Sequence, residues 1–399
     1  MSRSVCRACQ GHELTQFLDL GPMPLAGGFL SSSKAAESEK RYPLSVHVCD
    51  ACGLVQILDV VDPEVLFQDY SFSSCTIPPL VRHFETYAEW IVDKLAPRTV
   101  VEFGCNDGVL LDPLRKRGVQ TVGVDVSRNI TELARQKGLD VLTGYFGDGM
   151  ADAIRERLER VDVITGSNVF AHNDHPERIL TTARQLLHSE GHLCLEVMYA
   201  GDLLELLQWD TLYHEHLTFY SLSSLEGLLD RHSFRVVDVE RIPMHGGSLR
   251  VVASPNPRSV ARPSVERIRA QEKAQGLAEP STWRTFGERA HRGIQVVAET
   301  FGRLSRHASV WAYGAAGKAT MWVNACDMSY LGGVVDASPL RAGKLMPGTH
   351  TPIVFPDKLR ESPPDYIFVS AWNYVENIRS QEKWYRGVWS VPLPELRFF

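Results

Sequence analysis

The chain has 399 residues, of which 44% are hydrophobic and 23% are charged, and its formal net charge at pH 7 is -6. A chain of this length and composition can bury a large core, so we expect a folded protein of two or three domains. The acidic balance, with a sequence pI near 6.2, argues against a nucleic-acid-binding surface, because binding to phosphate backbones needs clustered cationic side chains.

The first residues, MSRSVCRACQGHELT, lack the run of roughly 7 to 15 apolar residues that a secretory signal carries. No apolar stretch approaches the ~20 residues that span a bilayer. We therefore expect a cytoplasmic protein without a membrane partner. The sequence leaves the oligomeric state open, and a monomer is the working expectation.

Two CxxC pairs stand near the start of the chain, Cys6 with Cys9 and Cys49 with Cys52. In a reducing cytosol such pairs favour four thiolates around zinc over disulfides. A tetrahedral ion needs four ligands at about 2.3 Å, and a closed set of four indicates a structural metal. Redox or accidental CxxC motifs are the alternative. We predict a zinc-binding domain over residues 1–75.

From residue 99 the chain alternates short apolar segments, glycine turns and helical periodicity. TVVEFG, QTVGVDVS, VDVITGSNVF and GHLCLEV have the pattern of buried strands, and FRVVDVERI and SLRVVAS are two further candidates. HFETYAEWIVDKLA, which precedes them, has apolar residues at helical spacing. This alternation is typical of a doubly wound α/β sheet, and it predicts one domain over residues 76–255.

A long polar helical region follows over roughly residues 264–307. A second α/β pattern then begins with SVWAYGAAGKATMWVNA and continues with GGVVDAS and DYIFVSAWN. We predict a C-terminal Rossmann-like domain over residues 256–399. The middle and last domains open in the same way, with strand, glycine turn and helix, and one sequence does not separate duplication from convergence.

The first glycine turn, EFGCNDG, carries an acidic residue inside the strand and two glycines, whereas a dinucleotide site has G-x-G-x-x-G. This pattern favours S-adenosylmethionine, which has no pyrophosphate to bind. Asp125 ends the next strand about 20 residues on, where a carboxylate can accept both ribose hydroxyls. A Rossmann-like domain with NAD or without a cofactor is the alternative. The predicted cofactor-binding residues are Glu102, Gly104, Asn106, Asp107, Asp125 and Asn168.

Four motifs occur in order between the CxxC pairs and YGAAGK: VVEFGCNDGVLL, GSNVFAHNDH, YHEHLTFYS and HGGSLRV. Over essentially the whole chain they resemble the C-methyltransferases of nucleotide-linked deoxysugars, such as those for mycarose, evernitrose and tetronitrose. The resemblance implies a zinc domain, a central S-adenosylmethionine-dependent methyltransferase domain and a C-terminal domain that helps to bind the nucleotide-sugar. It also implies antibiotic biosynthesis, a 4-keto-deoxyhexose carried by dTDP as substrate, and methylation at C-3, with C-5 as the alternative.

The segment YHEHLTFY, residues 213–220, is compatible with three kinds of site. A zincin-type metal site needs histidines at i and i+4, whereas His214 and His216 are two apart. A structural role would pack the aromatic rings and hydrogen-bond the histidines. Proton transfer suits C-methylation, because a base near neutral pKa must remove a proton from carbon and donors must stabilise the resulting oxyanion. We favour proton transfer.

The resemblance makes His216 the base, and we expect Glu215 to orient its imidazole through the other ring nitrogen. Tyr213 would hydrogen-bond the sugar oxygen or serve as the base itself. His172, just after a strand, would contact a substrate hydroxyl or stabilise enolate charge, although an isolated histidine is often structural. Tyr70 matches a family tyrosine that reaches into the site, and a packed aromatic role is the alternative.

Two cations follow glycine turns and suit the diphosphate of a nucleotide-sugar. Arg250 follows an HGG turn, and Lys318 stands at a probable helix start in GAAGK. Backbone NH groups, a helix dipole and a cation together favour phosphate, with solvation at the surface as the alternative. The predicted substrate-binding residues are His245, Gly247, Arg250, Gly317 and Lys318.

Two other functions stay open. YGAAGKATMWVN followed by GGVVD resembles a nicotinamide site with Asp336 as ribose carboxylate, which would indicate an NAD-dependent or bifunctional sugar-modifying enzyme. The missing G-x-G pair and the presence of Lys318 argue against it. A zinc-organised binding protein with inactive Rossmann domains is the third possibility, and it does not explain why a glycine turn, an acidic strand end and a His/Tyr cluster occur together.

Overall fold

A computed structural model of the chain describes residues 3–31, 37–67, 73–147 and 149–399. The strands, in chain order, are β1 (Leu14–Pro24), β2 (Arg41–Cys49), β3 (Val55–Ile57), β4 (Thr99–Phe103), β5 (Gln120–Asp125), β6 (Val141–Thr143), β7 (Val161–Ser167), β8 (Leu187–Met198), β9 (Thr218–Phe219), β10 (Arg235–Ile242), β11 (Ser248–Ser254), β12 (Val310–Tyr313), β13 (Val334–Val335), β14 (Ile353–Val354), β15 (Tyr366–Val369), β16 (Val388–Val391) and β17 (Arg397–Phe398). The α-helices are α1 (Pro63–Phe67), α2 (Pro78–Leu95), α3 (Leu111–Lys116), α4 (Arg128–Gln136), α5 (Met150–Arg155), α6 (Pro176–Leu186), α7 (Ala200–Glu205), α8 (Leu222–Arg231), α9 (Pro263–Gln275), α10 (Pro280–Leu304), α11 (Gly317–Ala325), α12 (Pro356–Glu361) and α13 (Val375–Gln381).

The N-terminal sheet is antiparallel and has the order β1-β2-β3-β9. Its last strand, β9, comes from the middle of the chain, directly after the YHEH segment. It pairs with β3 through Val55 opposite Phe219 and Gln56 opposite Thr218. The segment that carries the predicted base therefore completes the sheet of the zinc module.

The middle sheet has seven strands in the order β10-β11-β8-β7-β4-β5-β6. The strands from β8 to β6 are parallel, and β11 is antiparallel to both of its neighbours. The next strand in the chain, β5, lies on one side of β4, and β7 lies on its other side. The carboxyl end of β4 is therefore a topological switch point, where ligands of such sheets bind. This order confirms the predicted doubly wound α/β fold.

The helix predicted ahead of this sheet is α2. Pro78 occupies its first turn, where no backbone NH is needed. The helix ends at Leu95. The next residue, Ala96, takes a left-handed conformation with a φ of 45°, and a proline follows it. Its buried residues Leu80, Phe84 and Ile91 pack against apolar residues of the sheet. The apolar spacing of the sequence thus produced the expected helix.

The C-terminal sheet has the order β14-β13-β12-β15-β16-β17 and is parallel except for β17. Helices α9 and α10 form the predicted polar helical region. The rings of Trp283 and Phe286 on α10 lie 5.4 and 5.9 Å from the ring of Phe17 on β1. A side chain at Gly287 would collide with the carbonyl oxygen of Phe17. The C-terminal part of the chain is therefore packed tightly against the N-terminal sheet.

The structure confirms the expected class, a mixed α/β chain with an N-terminal cysteine module, a Rossmann-like middle and a C-terminal sheet. The boundaries after residues 75 and 255 stay predictions. In the part of the chain that the structure describes, each helix is too short or too polar to cross a bilayer.

Candidate active site

Four cysteine side chains converge in the N-terminal module, and their sulfur atoms all lie within 4.8 Å of one another: Cys6, Cys9, Cys49 and Cys52. The sulfurs of Cys6 and Cys52 are 3.6 Å apart, and those of Cys9 and Cys49 are 3.4 Å apart. Sulfurs bound at about 2.3 Å around a tetrahedral ion lie ~3.8 Å from one another, so the cluster fits zinc. All four cysteines are free of disulfides. A hydrogen bond from Cys52 lowers the pKa of Cys6 to about 4, toward the thiolate that a metal binds.

The glycine turn after β4 is held by Asp125 at the end of β5. The backbone NH of Asn106 donates to Oδ2 of Asp125 at 2.9 Å, and that of Ser127 donates to Oδ1 at 2.9 Å. Gly104 has a φ of 65°, and a Cβ there would collide with Val169. The turn therefore requires glycine at this position, and it places Asp125 at the switch point of the sheet.

The other predicted cofactor residues lie at the same edge. Glu102 is buried in β4, and burial raises the pKa of its carboxyl well above the usual value. Asp107 accepts hydrogen bonds from the Ser73 hydroxyl at 2.6 Å and from a backbone NH at 3.1 Å. Asn168 follows β7 and has a φ of 53°. Asp107 thus ties the segment before α2 to the glycine turn.

The residues of the YHEH segment face two sides. Nε2 of His214 donates to a carbonyl oxygen of β2 at 3.1 Å, and Glu215 lies against the backbone of Gly27. Tyr213 and His216 are partly exposed instead, with their ring centroids 4.0 Å apart, on a surface that we call the cleft. Two residues of the segment therefore anchor the zinc module, and the other two lie side by side at this surface.

The predicted orienting role of Glu215 is wrong. Nδ1 of His216 instead donates to the carbonyl oxygen of Thr211 at 2.7 Å. A carbonyl only accepts, so Nδ1 carries the hydrogen and Nε2 keeps the lone pair that a base needs. Burial and the neighbouring His172 lower the pKa of His216 well below its ordinary value of 6.5. His216 is therefore a neutral imidazole at pH 7.

Two more histidines line the cleft. The ring of His172 lies 5.1 Å from that of His216 and stacks on Phe67 at 6.0 Å. Burial lowers the pKa of His172 and that of His245 to about 4 each. His172, His216 and His245 are all half-buried, so each is partly accessible to solvent.

The start of α11 closes the cleft from the C-terminal side. A Cβ at Gly317 would lie 2.7 Å from Cζ of Tyr213, so the close approach of this backbone to the tyrosine requires glycine. Nζ of Lys318 lies 4.2 Å from the centroid of the Trp372 ring and 3.5 Å from Oδ1 of Asn373. The structure thus brings the predicted Gly317 and Lys318 to the predicted Tyr213 and His216.

The guanidinium of Arg250, in contrast, is already paired with a carboxylate of the protein. Its Nε and Nη2 donate to Oε1 of Glu196 at 2.9 and 2.7 Å, and its guanidinium lies 4.2 and 4.9 Å from the ring centroids of Tyr87 and Trp90. Nε2 of His83 lies 2.9 Å from the second oxygen of Glu196. The Arg250 side chain is 6% exposed. The predicted phosphate contact of Arg250 is therefore wrong, and so is the solvated alternative, because a buried carboxylate neutralises this cation.

Three family models match the chain: a zinc binding domain over residues 6–67, a methyltransferase domain over 81–239 and a C-methyltransferase C-terminal domain over 243–394. The C-methyltransferase NovU from Streptomyces niveus is 33% identical over an alignment of 402 positions, which covers 98% of this chain and 96% of that protein. The chain belongs to the C-methyltransferase family. It is an S-adenosylmethionine-dependent enzyme, and its cysteine cluster is a zinc site.

Two other matches cover a smaller part of this C-methyltransferase. The ubiquinone biosynthesis O-methyltransferase of Serratia proteamaculans (strain 568) is 24% identical over an alignment of 147 positions, which covers 33% of this chain and 60% of that protein. A solved magnesium protoporphyrin IX methyltransferase from Synechocystis PCC 6803 with bound SAH covers 44% of this chain and 82% of that chain, with 17% identity and a TM-score of 0.35. The whole-chain match with NovU carries the family assignment.

Gly247 and Tyr70 are the remaining predicted site residues. Gly247 has a φ of 126°, and a Cβ there would collide with the carboxylate of Asp202, so this glycine shapes the turn that carries His245. Tyr70 lies outside the described residues, and its role in the C-methyltransferase stays a prediction.

Two residues that were not predicted from the sequence, Asp210 and Thr211, hold side chains of the cleft in place. Oδ2 of Asp210 accepts hydrogen bonds from Nε1 of Trp322 at 2.9 Å and from Nε1 of Trp372 at 2.8 Å. Thr211, the next residue, supplies the carbonyl that orients His216. Both stand shortly before the YHEH segment, in WDTLYHEH, and an aspartate next to a tryptophan was the available signal.

Proposed function

We propose that this C-methyltransferase acts on a nucleotide-linked 4-keto-deoxyhexose and methylates C-3 of the sugar, in the biosynthesis of a branched-chain sugar of an antibiotic. One observation carries the proposal: His216 is a neutral base with Nε2 unprotonated, in a cleft shared with Tyr213 and Lys318. Transfer to oxygen or nitrogen starts from an existing lone pair, whereas transfer to carbon needs a base that creates one.

The proposed chemistry follows from the acidity of a C–H bond next to a ketone. Nε2 of His216 takes the proton from C-3, and the electrons of the broken bond form an enolate whose charge lies on the C-4 oxygen. S-adenosylmethionine supplies an electrophilic methyl group. The ketone re-forms when C-3 takes this methyl, the sulfur–methyl bond breaks with its electrons left on sulfur, and S-adenosylhomocysteine is the leaving group. His216 then returns its proton to solvent. Tyr213 hydrogen-bonds a sugar oxygen, and His172 contacts a hydroxyl of the substrate.

The methyl donor would bind at the ends of β4 and β5. The carboxylate of Asp125 has about four lone-pair positions, and two backbone NH groups use two of them. The remaining positions suit the two ribose hydroxyls. Glu102, Gly104, Asn106, Asp107 and Asn168 surround the same strand ends.

The C-terminal domain, proposed as residues 256–399, would help to bind the dTDP part of the substrate. The first turn of α11 presents backbone NH groups and the positive end of a helix dipole, which favour a diphosphate. The turn with His245 and Gly247 lies close to Trp372, since a Cβ at Gly246 would come within 3.2 Å of that ring. Arg250 has no part in this contact, because Glu196 holds it.

The test is methyl transfer from labelled S-adenosylmethionine to a panel of nucleotide-sugars, with products analysed by mass spectrometry and NMR. The panel holds dTDP-4-keto-6-deoxyhexoses and, as matched controls, the same sugars reduced to the 4-hydroxyl. We expect labelled product only from the ketones, with the methyl on C-3. Transfer to the 4-hydroxy sugars, or a methyl on oxygen or nitrogen, would contradict the proposal, and a methyl on C-5 would refute its regiochemistry.

A further inference from the structure

The ammonium group of Lys318 is a charge without a matching partner. Its Nζ is 3.5 Å from the side-chain oxygen of Asn373, a long contact for a hydrogen bond. Across residues 3–31, 37–67, 73–147 and 149–399, no carboxylate lies within the 4.0 Å of an ion pair with this nitrogen. Burial lowers the pKa of Lys318, and the more distant charge of Asp210 opposes that shift. A cation in this position is stabilised best by an anion that arrives with a ligand.

The surroundings of Lys318 hold its side chain rather than neutralise it. The ammonium lies 4.2 Å from the centroid of the Trp372 ring, within the range of a cation–π contact. The indole of Trp372 is fixed in turn by its Nε1, which donates to Oδ2 of Asp210 at 2.8 Å. The same oxygen binds Trp322, so Asp210 acts through the two tryptophans. Lys318 is therefore preorganised at one place in the cleft.

The ammonium of Lys318 lies on the side of the cleft that carries His216. Gly317, the preceding residue, is in close contact with the Tyr213 ring, and this ring lies 4.0 Å from that of His216. The positive charge of Lys318 also lowers the pKa of His216 and that of His245, so the ammonium is within electrostatic range of both imidazoles. A substrate carbon in contact with Nε2 of His216 would have its neighbouring carbonyl oxygen in this region.

We propose that Lys318 is a catalytic residue, whose ammonium contacts the carbonyl oxygen beside the carbon that His216 deprotonates and stabilises the enolate charge on that oxygen. This inference rests on the proposed function, since it needs the enolate. It changes the role of Lys318 from binding the diphosphate to lowering the barrier of proton removal. When His216 takes the proton it becomes a cation, and the positive charge of Lys318 would repel it. The negative enolate oxygen between the two cations would offset this repulsion.

The test separates proton removal from nucleotide binding. With S-adenosylhomocysteine in place of the methyl donor, exchange of the C-3 hydrogen of a dTDP-4-keto sugar with D2O is followed by NMR at saturating substrate. Binding of dTDP, which lacks the sugar, is measured by calorimetry. We expect K318M and K318Q to slow exchange by roughly 100-fold or more, the usual loss for a donor to a developing oxyanion. The Kd of dTDP should change less than about threefold, because the backbone NH groups of the first turn of α11, and not the Lys318 ammonium, would bind the diphosphate.

The controls make each outcome decisive. K383M removes an exposed lysine of the same domain and should match the wild type, and K318R, which keeps the charge, should recover part of the exchange. Exchange at the wild-type rate in K318M would overturn the assignment, as would dTDP binding weakened tenfold or more with exchange retained. Loss of S-adenosylhomocysteine binding in both K318M and K318Q would also overturn it, since the role would then be structural. Failure of the wild type to exchange would count against the enolate itself, and so against the proposed function.

Discussion

The imidazole of His216 is oriented by a backbone carbonyl and not by a carboxylate. A carboxylate partner would raise the pKa of the ring, whereas the carbonyl of Thr211 fixes the tautomer without adding charge. Burial then keeps the ring neutral, with Nε2 facing the cleft. Such a base is ready at neutral pH and works on a proton that a ketone has acidified.

The Arg250–Glu196 pair supports a prediction about stability at the residue scale. R250M leaves the Glu196 carboxylate buried, with His83 as its remaining side-chain partner among the residues that the structure describes. We expect the free energy of unfolding, measured with urea, to fall by about 3–5 kcal/mol. R258M, which removes an exposed arginine beyond the end of the same strand, should leave it within about 0.5 kcal/mol of the wild type.

The double variant E196Q/R250M checks the cause, because it removes both buried charges. It should be more stable than R250M, since no uncompensated carboxylate remains. An R250M variant with unchanged stability and weakened dTDP binding would restore the phosphate contact that the sequence suggested.

The sequence was a poor guide to Arg250 for a physical reason. The glycine turn ahead of it is a local pattern that suits phosphate, whereas Glu196 is distant in the chain. The two residues become direct cross-strand neighbours only through the antiparallel register of β8 and β11. The YHEH segment shows the same limit, because its local pattern did not reveal that Glu215 faces the zinc module.

At the element scale, the middle and C-terminal sheets share one arrangement of hydrogen bonds at a strand end. Asp125 after β5 and Asp336 after β13 each accept one hydrogen bond from the preceding glycine turn and one from the residue two positions on. Asp336 also pairs with Arg341 at 3.1 Å. The same backbone arrangement therefore positions both carboxylates, and Asp336 in addition has a cationic partner.

This difference predicts the effect of two matched variants on cofactor binding. D125A should raise the Kd of S-adenosylmethionine roughly 10-fold or more, because hydrogen bonds to a charged group contribute about 1.5–3 kcal/mol. D336A, in the second sheet, should leave that Kd unchanged. Isothermal titration calorimetry measures both, and equal values for wild type and D125A would remove this residue from the cofactor site.

Most strands of the two largely parallel sheets could be predicted, since each is a short apolar run, and β4 and β12 are followed directly by a glycine turn. The confirmed examples β4, β5 and β7 are buried over most of their length. Strand β9 could not be predicted in this way, because its two residues are ordered by pairing with a distant strand, β3.

The whole molecule places its three parts around one cleft. The zinc module contacts the YHEH segment through His214, Glu215 and β9, and the C-terminal part contacts it through Gly317. The position of His216 thus depends on packing from both ends of the chain. This dependence on long-range contacts is why the orientations of these side chains could not be predicted from the sequence.

The zinc site should therefore affect the enzyme as a whole. C49S removes one of four ligands, and we expect loss of bound zinc together with soluble yield, since a structural zinc site contributes directly to folding. C75S is the matched control, because Cys75 is exposed and lies outside the cluster. Zinc content by mass spectrometry of the metal decides the outcome, and full occupancy in C49S would contradict ligation by four cysteines.

The most direct test of the central claim uses a dTDP-4-keto sugar that carries deuterium at C-3. If His216 removes that hydrogen so that carbon takes the methyl, the product loses the deuterium and NMR finds the new methyl on C-3. H216A should then turn over roughly 100-fold more slowly or worse, as expected for loss of a general base, and H291A, at an exposed position on α10, should match the wild type. Deuterium retained in the product, with the methyl on oxygen or nitrogen, would contradict the claim.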